Sequence, residues 1–79
     1  MGITEEAYVL VTASVGRVKE ALEEIKNLEE VKEAQVVTGI YDVVALLEAA
    51  DETSLEEVVE EKIQGIDGVR ETTTAIIIK

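Results

Sequence analysis

The 79-residue chain predicts an α+β domain of ferredoxin-like type, a βαββαβ order in which four strands form one antiparallel sheet with both helices on one face. Three observations predict it. Short β-branched runs alternate with stretches of helical apolar spacing. The second half repeats the first at a fixed offset. The composition is 47% hydrophobic, too apolar for a disordered acidic chain despite a net charge of −11.

Ala7 to Ala13 (Ala-Tyr-Val-Leu-Val-Thr-Ala) is a nearly continuous apolar run and reads as strand one, covered on both faces or lying in a subunit contact. Val18, Ala21, Leu22, Ile25 and Leu28 then follow at helical spacing, with Lys19, Glu20, Glu23, Glu24 and Lys26 on the other face. This helix is expected to start near Ser14 to Gly16 and to end at Asn27, which tolerates a left-handed stop. Ala34, Val36 and Thr38 alternate with Glu33, Gln35 and Val37 as strand two, ended by Gly39.

Asp42 to Ala50 follows a turn and contains Val43-Val44, so it reads as strand three in spite of its Ala and Leu content. Ser54-Leu55-Glu56-Glu57 matches a capping box, in which the Ser54 hydroxyl accepts from the amide three residues on and Glu57 reaches back. Leu55, Val58, Val59, Ile63 and Ile66 continue at helical spacing, with Gly65 as the stop. Glu71 to Ile78 is strand four, since threonines and isoleucines in close succession disfavour helix.

The helix stops Asn27 and Gly65 stand 38 positions apart, and the same offset pairs Ile25 with Ile63, Leu28 with Ile66, Val31 with Val69 and Glu33 with Glu71. One βαβ unit is written twice. With a right-handed crossover in each half, the two units interleave as a single antiparallel sheet. One sheet face then has no helix to cover it, and its apolar residues predict a homodimer packed sheet to sheet.

Composition removes most catalytic chemistry. Without Cys or His there is no disulfide, no Cys/His zinc site, no thiol nucleophile and no imidazole base. No acidic stretch has the spacing of a calcium loop, so neither a metal nor another cofactor is expected. Eighteen acids against seven scattered bases repel phosphate backbones, so direct nucleic-acid binding is not expected. The longest apolar runs are too short to span a bilayer, and Met1-Gly2-Ile3-Thr4-Glu5-Glu6 is no signal peptide and fails the myristoylation pattern at Glu6. No membrane association and a cytoplasmic location are the expectation.

The segment Val37-Thr38-Gly39-Ile40-Tyr41-Asp42-Val43-Val44 admits two readings. It is a plain hairpin if Gly39 supplies positive φ, Asp42 bonds a nearby amide and Tyr41 packs locally. It is a binding element if the same carboxylate and backbone donors meet the ammonium and carboxylate of a free amino acid. Arg17, after Gly16, is either an anion site at a helix start or part of a solvated face. Glu56-Glu57 and Glu60-Glu61 read as a metal or acid/base patch, or as the wet face of helix two. Asp51 to Gln64 holds six acids and one base, the most negative surface, serving a basic partner or solubility alone.

The run Ala34-Gln35-Val36-Val37-Thr38-Gly39-Ile40-Tyr41-Asp42, preceded by Val31 and followed after a helix by Gly68-Val69-Arg70-Glu71-Thr72-Thr73-Thr74, resembles the effector-binding RAM domain of the Lrp/AsnC regulators. The resemblance runs from Tyr8 to Lys79. Its markers are a Thr-Gly-x-Tyr-Asp turn and a Gly-Val-x-x-Thr-x-Thr strand start, each short but in the expected order. It implies sheet-to-sheet dimers, rings of dimers that are often octamers, and an amino acid or related metabolite bound between dimers. By matching motif, Thr38, Gly39, Tyr41 and Asp42 would line that pocket, Asp42 facing the ligand ammonium, with hydroxyls from Thr72 and Thr74.

Family regulators carry an N-terminal helix-turn-helix domain, whereas here strand one starts within ten residues of Met1. Residues 1–79 are therefore expected to be a stand-alone RAM-like domain. Such a non-enzymatic sensor would modulate transcription only through a full-length Lrp/AsnC partner. The rival readings are an ACT-like amino-acid-binding domain, whose ligand-contacting turn would be Ser14 to Arg17, and a structural subunit without a ligand. An enzyme on the same scaffold is disfavoured by the missing functional groups.

Overall fold

The computed structural model describes residues 4–78. Met1–Ile3, read above for leader signals, and Lys79, the last residue of the resemblance, lie outside the described residues. The elements are β1 (Glu5–Ala13), α1 (Val18–Lys26), β2 (Val31–Val36), β3 (Val43–Ala49), α2 (Glu52–Glu57) with a π-helical continuation (Val58–Ile63), and β4 (Val69–Ile76). The four strands form one antiparallel sheet in the order β2-β3-β1-β4, the ferredoxin-like arrangement that the sequence predicts.

Alternation along the strands decides which side is core. Ala7, Val9, Val11 and Ala13 of β1 and Val43, Ala45 and Leu47 of β3 are buried with Ala21 and Ile25 of α1, Leu55, Val58, Val59 and Ile63 of the second helical segment, and Ile66 in the turn after it. No polar or charged residue is buried among the described residues. On the opposite face the intervening Leu10, Val44 and Leu46 are only half-buried and Tyr8 is exposed. Strand one is therefore covered on one face, and its second apolar face is left open by the fold of a single chain.

The 38-residue offset reappears in backbone bonding. The Leu28 and Val31 amides donate to the Ile25 and Leu28 carbonyls, both at 3.1 Å, and the Ile66 and Val69 amides donate to the Ile63 and Ile66 carbonyls, again both at 3.1 Å. Each helix thus leaves through the same tight turn into the following edge strand.

Element ends differ from the sequence reading, for local reasons. β1 begins at Glu5, because its ladder with β3 extends to the Glu5 and Ala49 pair. β2 runs Val31–Val36 instead of ending at Thr38, since the Val37 amide donates to the Asp42 carbonyl at 2.9 Å and closes the hairpin there. β4 begins at Val69, opposite Ala13. Asn27 is right-handed (φ −82°, ψ −7°) and ends α1 through bonds to Glu23 and Glu24 carbonyls at 3.2 and 3.3 Å, so the left-handed stop expected there is absent.

Gly65 is not in the left-handed region either; a Cβ there would stand 3.3 Å from the Glu61 carbonyl oxygen, so closeness of approach is what it satisfies. The positive φ falls instead on Gly68, at +100°. Ser54 is not the cap of α2. Asp51, extended at φ −156° and ψ 176°, accepts from the Ser54 amide at 2.8 Å, and the helix starts three residues earlier than the capping-box reading. That bond also holds the Asp51 carboxyl below the usual carboxylate range.

Candidate functional site

The hairpin between β2 and β3 is built from Val37 to Asp42. Gly39 sits at φ +121° with open space around it, as a turn residue requires. Thr38 and Gly39 are exposed, Ile40 at the tip is 86% exposed, and Tyr41 and Asp42 are half-buried. Asp42 has a defined structural task. Its amide donates to the Val11 carbonyl at 2.8 Å, and its Oδ2 accepts from the Ala13 amide at 2.8 Å. The carboxylate thereby extends the β1 ladder past its last pairing with β3, at a β1 irregularity between Thr12 and Ala13. The hairpin reading expected a bond to a nearby amide, and the amide used lies 29 residues away in sequence.

Thr72 and Thr74 pair with Val11 and Val9 across the β1/β4 ladder and so share the helix side of the sheet. Gln64, just past the π-helical turn, donates from Nε2 to Thr72 Oγ1 at 2.8 Å. An open groove of about 500 Å³ beside β4 is lined by Gln64, Val69, Arg70, Glu71, Thr72 and Thr73. None of residues 38–42 lines it. Because β1 lies between β3 and β4, a single chain keeps the hairpin and the threonines on opposite flanks of that strand. Gln64, Arg70 and Glu71 were missed as lining residues. Arg70 and Glu71 occupy the two unspecified positions of the Gly-Val-x-x-Thr motif, where a motif gives no signal, and Gln64 is delivered from another element.

Arg17 is engaged by two carboxylates, with Nε 2.6 Å from Glu20 and Nη2 2.7 Å from Asp67. Asp67 first and Glu20 second raise the guanidinium pKa further above its ordinary value. This ties the turn before α1 to the turn before β4, where the Ser14 amide also donates to the Gly68 carbonyl at 2.7 Å. Two of the guanidinium nitrogens are thereby engaged within the chain.

On the other flank Lys62 donates to Glu30 Oε2 at 2.8 Å, which holds the Glu30 carboxyl low against the opposing effect of burial and raises Lys62. These two, with Ser54, Glu57, Val58 and Glu61, line a cavity of about 240 Å³. Glu56, Glu57, Glu60 and Glu61 are all exposed. Among the described residues no group of three or more carboxylates is arranged to share a metal ion. No described helix is long and apolar enough to cross a membrane.

Comparison with known proteins adds the family. Residues 6–79 match the model of the Lrp/AsnC ligand binding domain. An HTH-type transcriptional regulator of Pyrococcus abyssi is 34% identical over 71 residues, which is 90% of this chain and 45% of that protein. The chain thus spans about half the length of the curated regulators it matches. A 52-residue stretch, 66% of the chain, is 36% identical to 11% of the homocitrate synthase of Sulfolobus acidocaldarius.

Among solved structures, a protein from Thermus thermophilus superposes with a TM-score of 0.90 at 36% identity, covering 95% of this chain and 94% of that one. A Neisseria meningitidis transcriptional regulator solved in complex with L-Met shares the fold at a TM-score of 0.84 and 17% identity, over 95% of this chain and 50% of that one. The sheet order, the repeated helix exits and the hairpin that the resemblance singled out thus coincide with a match over nearly the whole chain, and the chain belongs to the Lrp/AsnC ligand binding domain family.

Proposed function

We propose that the chain is a non-enzymatic, cytoplasmic effector module that binds an amino acid or related metabolite where two dimers meet. The observation that carries this reading is the separation of the site's two halves. Thr38, Gly39, Tyr41 and Asp42 lie on the β3 side of β1, and Thr72 and Thr74 on the β4 side. One small ligand touches both sets most simply when they come from different subunits. The uncovered sheet face, with Tyr8, Leu10, Val44 and Leu46 at its centre, supports a homodimer formed sheet to sheet, and dimers then assemble into a ring. The L-Met bound to the Neisseria regulator supports an amino acid as the ligand class.

Output through a full-length regulator of the family belongs to the same reading, supported by the helix-turn-helix relatives of twice this length. The partial likeness to a homocitrate synthase favours a second output, in which such a module passes an amino-acid signal to an enzyme. An ACT-like reading is weakened by the Ser14 to Arg17 turn, whose Ser14 amide and Arg17 guanidinium are already bonded within the chain.

Calorimetric titration of the chain with each of the twenty amino acids tests the proposal, together with light scattering before and after saturation. Binding by at least one, with a change in oligomer mass, is the expected result; no binding by an intact oligomer removes it. Leu46→Glu places a charge in the open face and is expected to yield monomers by light scattering, and an unchanged mass would remove the sheet-to-sheet dimer.

A further inference from the structure

We infer that Tyr8 and Glu33 are the polar lock between two copies of this chain, the Tyr8 hydroxyl of each donating to the Glu33 carboxylate of the other. This rests on the sheet-to-sheet dimer of the proposed function and deepens it, since an open apolar face by itself does not set how two sheets lie. Three observations point to the pair. The first is position. The ladders align Glu33, Leu46, Tyr8 and Ala75 in one row across β2, β3, β1 and β4, and Gln35, Val44, Leu10 and Thr73 in another. Both rows lie on the open face, because Ala7, Val9, Ala45 and Leu47 between and beside them point into the core.

The second is shape. A recess of about 160 Å³ on this face is lined by Tyr8 together with Glu33, Gln35, Val44 and Leu46, and Tyr8 stands 45% exposed at its side. Knob and recess adjoin on one chain. A two-fold axis running along β3 above Leu46 exchanges the β1 and β2 sides of the face, so it sets each Tyr8 over the recess of the second copy. Packed sheets stand about 10 Å apart, a gap that a tyrosine and a glutamate reaching toward each other span. The same axis lays Lys32 over Glu6 of the second copy, so the charges complement there as well.

The third is unmet polarity. Neither Tyr8 nor Glu33 has a hydrogen bond or ion pair with the described residues, whereas Glu6 and Glu48 on the same face are held by Lys32. Glu71, also on this face opposite Thr12, sits on β4 and falls outside the overlap that this axis produces. Covering the face leaves a carboxylate without a donor and a phenol without an acceptor, each costly alone. One charge-assisted bond satisfies both.

The test combines Tyr8→Phe and Glu33→Gln chains, one of them isotope-labelled, unfolds them together in urea, refolds them without added amino acid, and counts the dimers by native mass spectrometry. A mixed dimer keeps one intact Tyr8 to Glu33 contact and has no orphaned carboxylate. Mixed dimers are therefore expected to exceed the statistical half, and a value of half, as for a bond within one chain or no bond, overturns the inference. Sedimentation equilibrium supplies the second reading, with circular dichroism to check that each variant is folded. Tyr8→Phe is expected to raise the dimer Kd by roughly 10- to 100-fold, and adding Glu33→Gln to recover part of that loss by removing the unpaired charge. A loss that Glu33→Gln does not relieve overturns the inference equally. The Leu46→Glu variant separates the two failures: if it yields monomers while the Tyr8 and Glu33 readings fail, the sheet-to-sheet dimer stands without this lock, and if its mass is unchanged, both fall.

Discussion

The two βαβ halves share an offset and an exit turn, yet their helices carry different loads. In the first, α1 has no side-chain cap and buries only Ala21 and Ile25 fully. In the second, Asp51 caps α2, and Leu55, Val58, Val59 and Ile63 are all buried as the helix widens to π geometry over Val58–Ile63. The Gln64 amide donates to the Val59 carbonyl at 2.8 Å, five residues back, at the place where the Gln64 side chain reaches Thr72. π-Helical turns are often found at functional sites. The first half thus acts as frame, and the second supplies most of the helix-side core together with the groove.

Truncation at a pair of identical, equally buried offset positions gives the largest expected effect. Ile25 and Ile63 are offset equivalents and both are fully buried, so Ile25→Ala and Ile63→Ala should each cost on the order of 3 kcal/mol in urea unfolding. Costs differing by more than about 2 kcal/mol would show that the halves are not equivalent even there. The turns before β2 and β4 sharpen the contrast. Gly68 stands where the first half has Glu30, and a Cβ at Gly68 would lie 2.9 Å from Arg17 Cβ with φ at +100°. Gly68→Ala is expected to lose about 2 kcal/mol, and Gly39→Ala, strained but in open space, about 1 kcal/mol. Equal losses in thermal melts would mean that the Arg17 contact is relieved by movement of that side chain.

The smallest effect is in acid. Asp51 and Glu30 both flank the second helix, and both carboxyls are held below the ordinary range, Asp51 by the Ser54 amide and Glu30 by Lys62. A depressed folded value means their contribution is present above the unfolded carboxylate pKa of about 4 and is lost as pH falls through the folded value. Relief of the −11 self-repulsion works the other way. Asp51→Asn and Glu30→Gln should therefore flatten the loss of stability between about pH 5 and pH 3 relative to wild type. Hydrogen exchange should show Leu55 to Gln64 opening before Val18 to Lys26. Simultaneous opening would place the acid-sensitive contacts elsewhere.

The strand and helix order, the repeat and the core face were legible in sequence because each is written as a period. Side chains that alternate or recur every third and fourth residue record which side is dry, and Val9, Val11, Ile25, Leu55 and Ile63 follow that record. The hairpin was legible as a motif, with Gly39 at positive φ as its turn requires. What tertiary structure decided were the non-local bonds. Ser54 and Asp51 are both good cap residues, and the folded chain uses Asp51, whose carboxylate accepts from the Ser54 amide. Asn27 and Gly65 are both plausible left-handed stops, yet the turn into the next strand places positive φ at Gly68. Asp42 finds its amide at Ala13, and Gln64 its partner at Thr72, across distances that no local spacing encodes. Local periodicity fixes burial because burial is summed over neighbours along the chain, whereas a hydrogen bond between two strands exists only once the sheet has set their register.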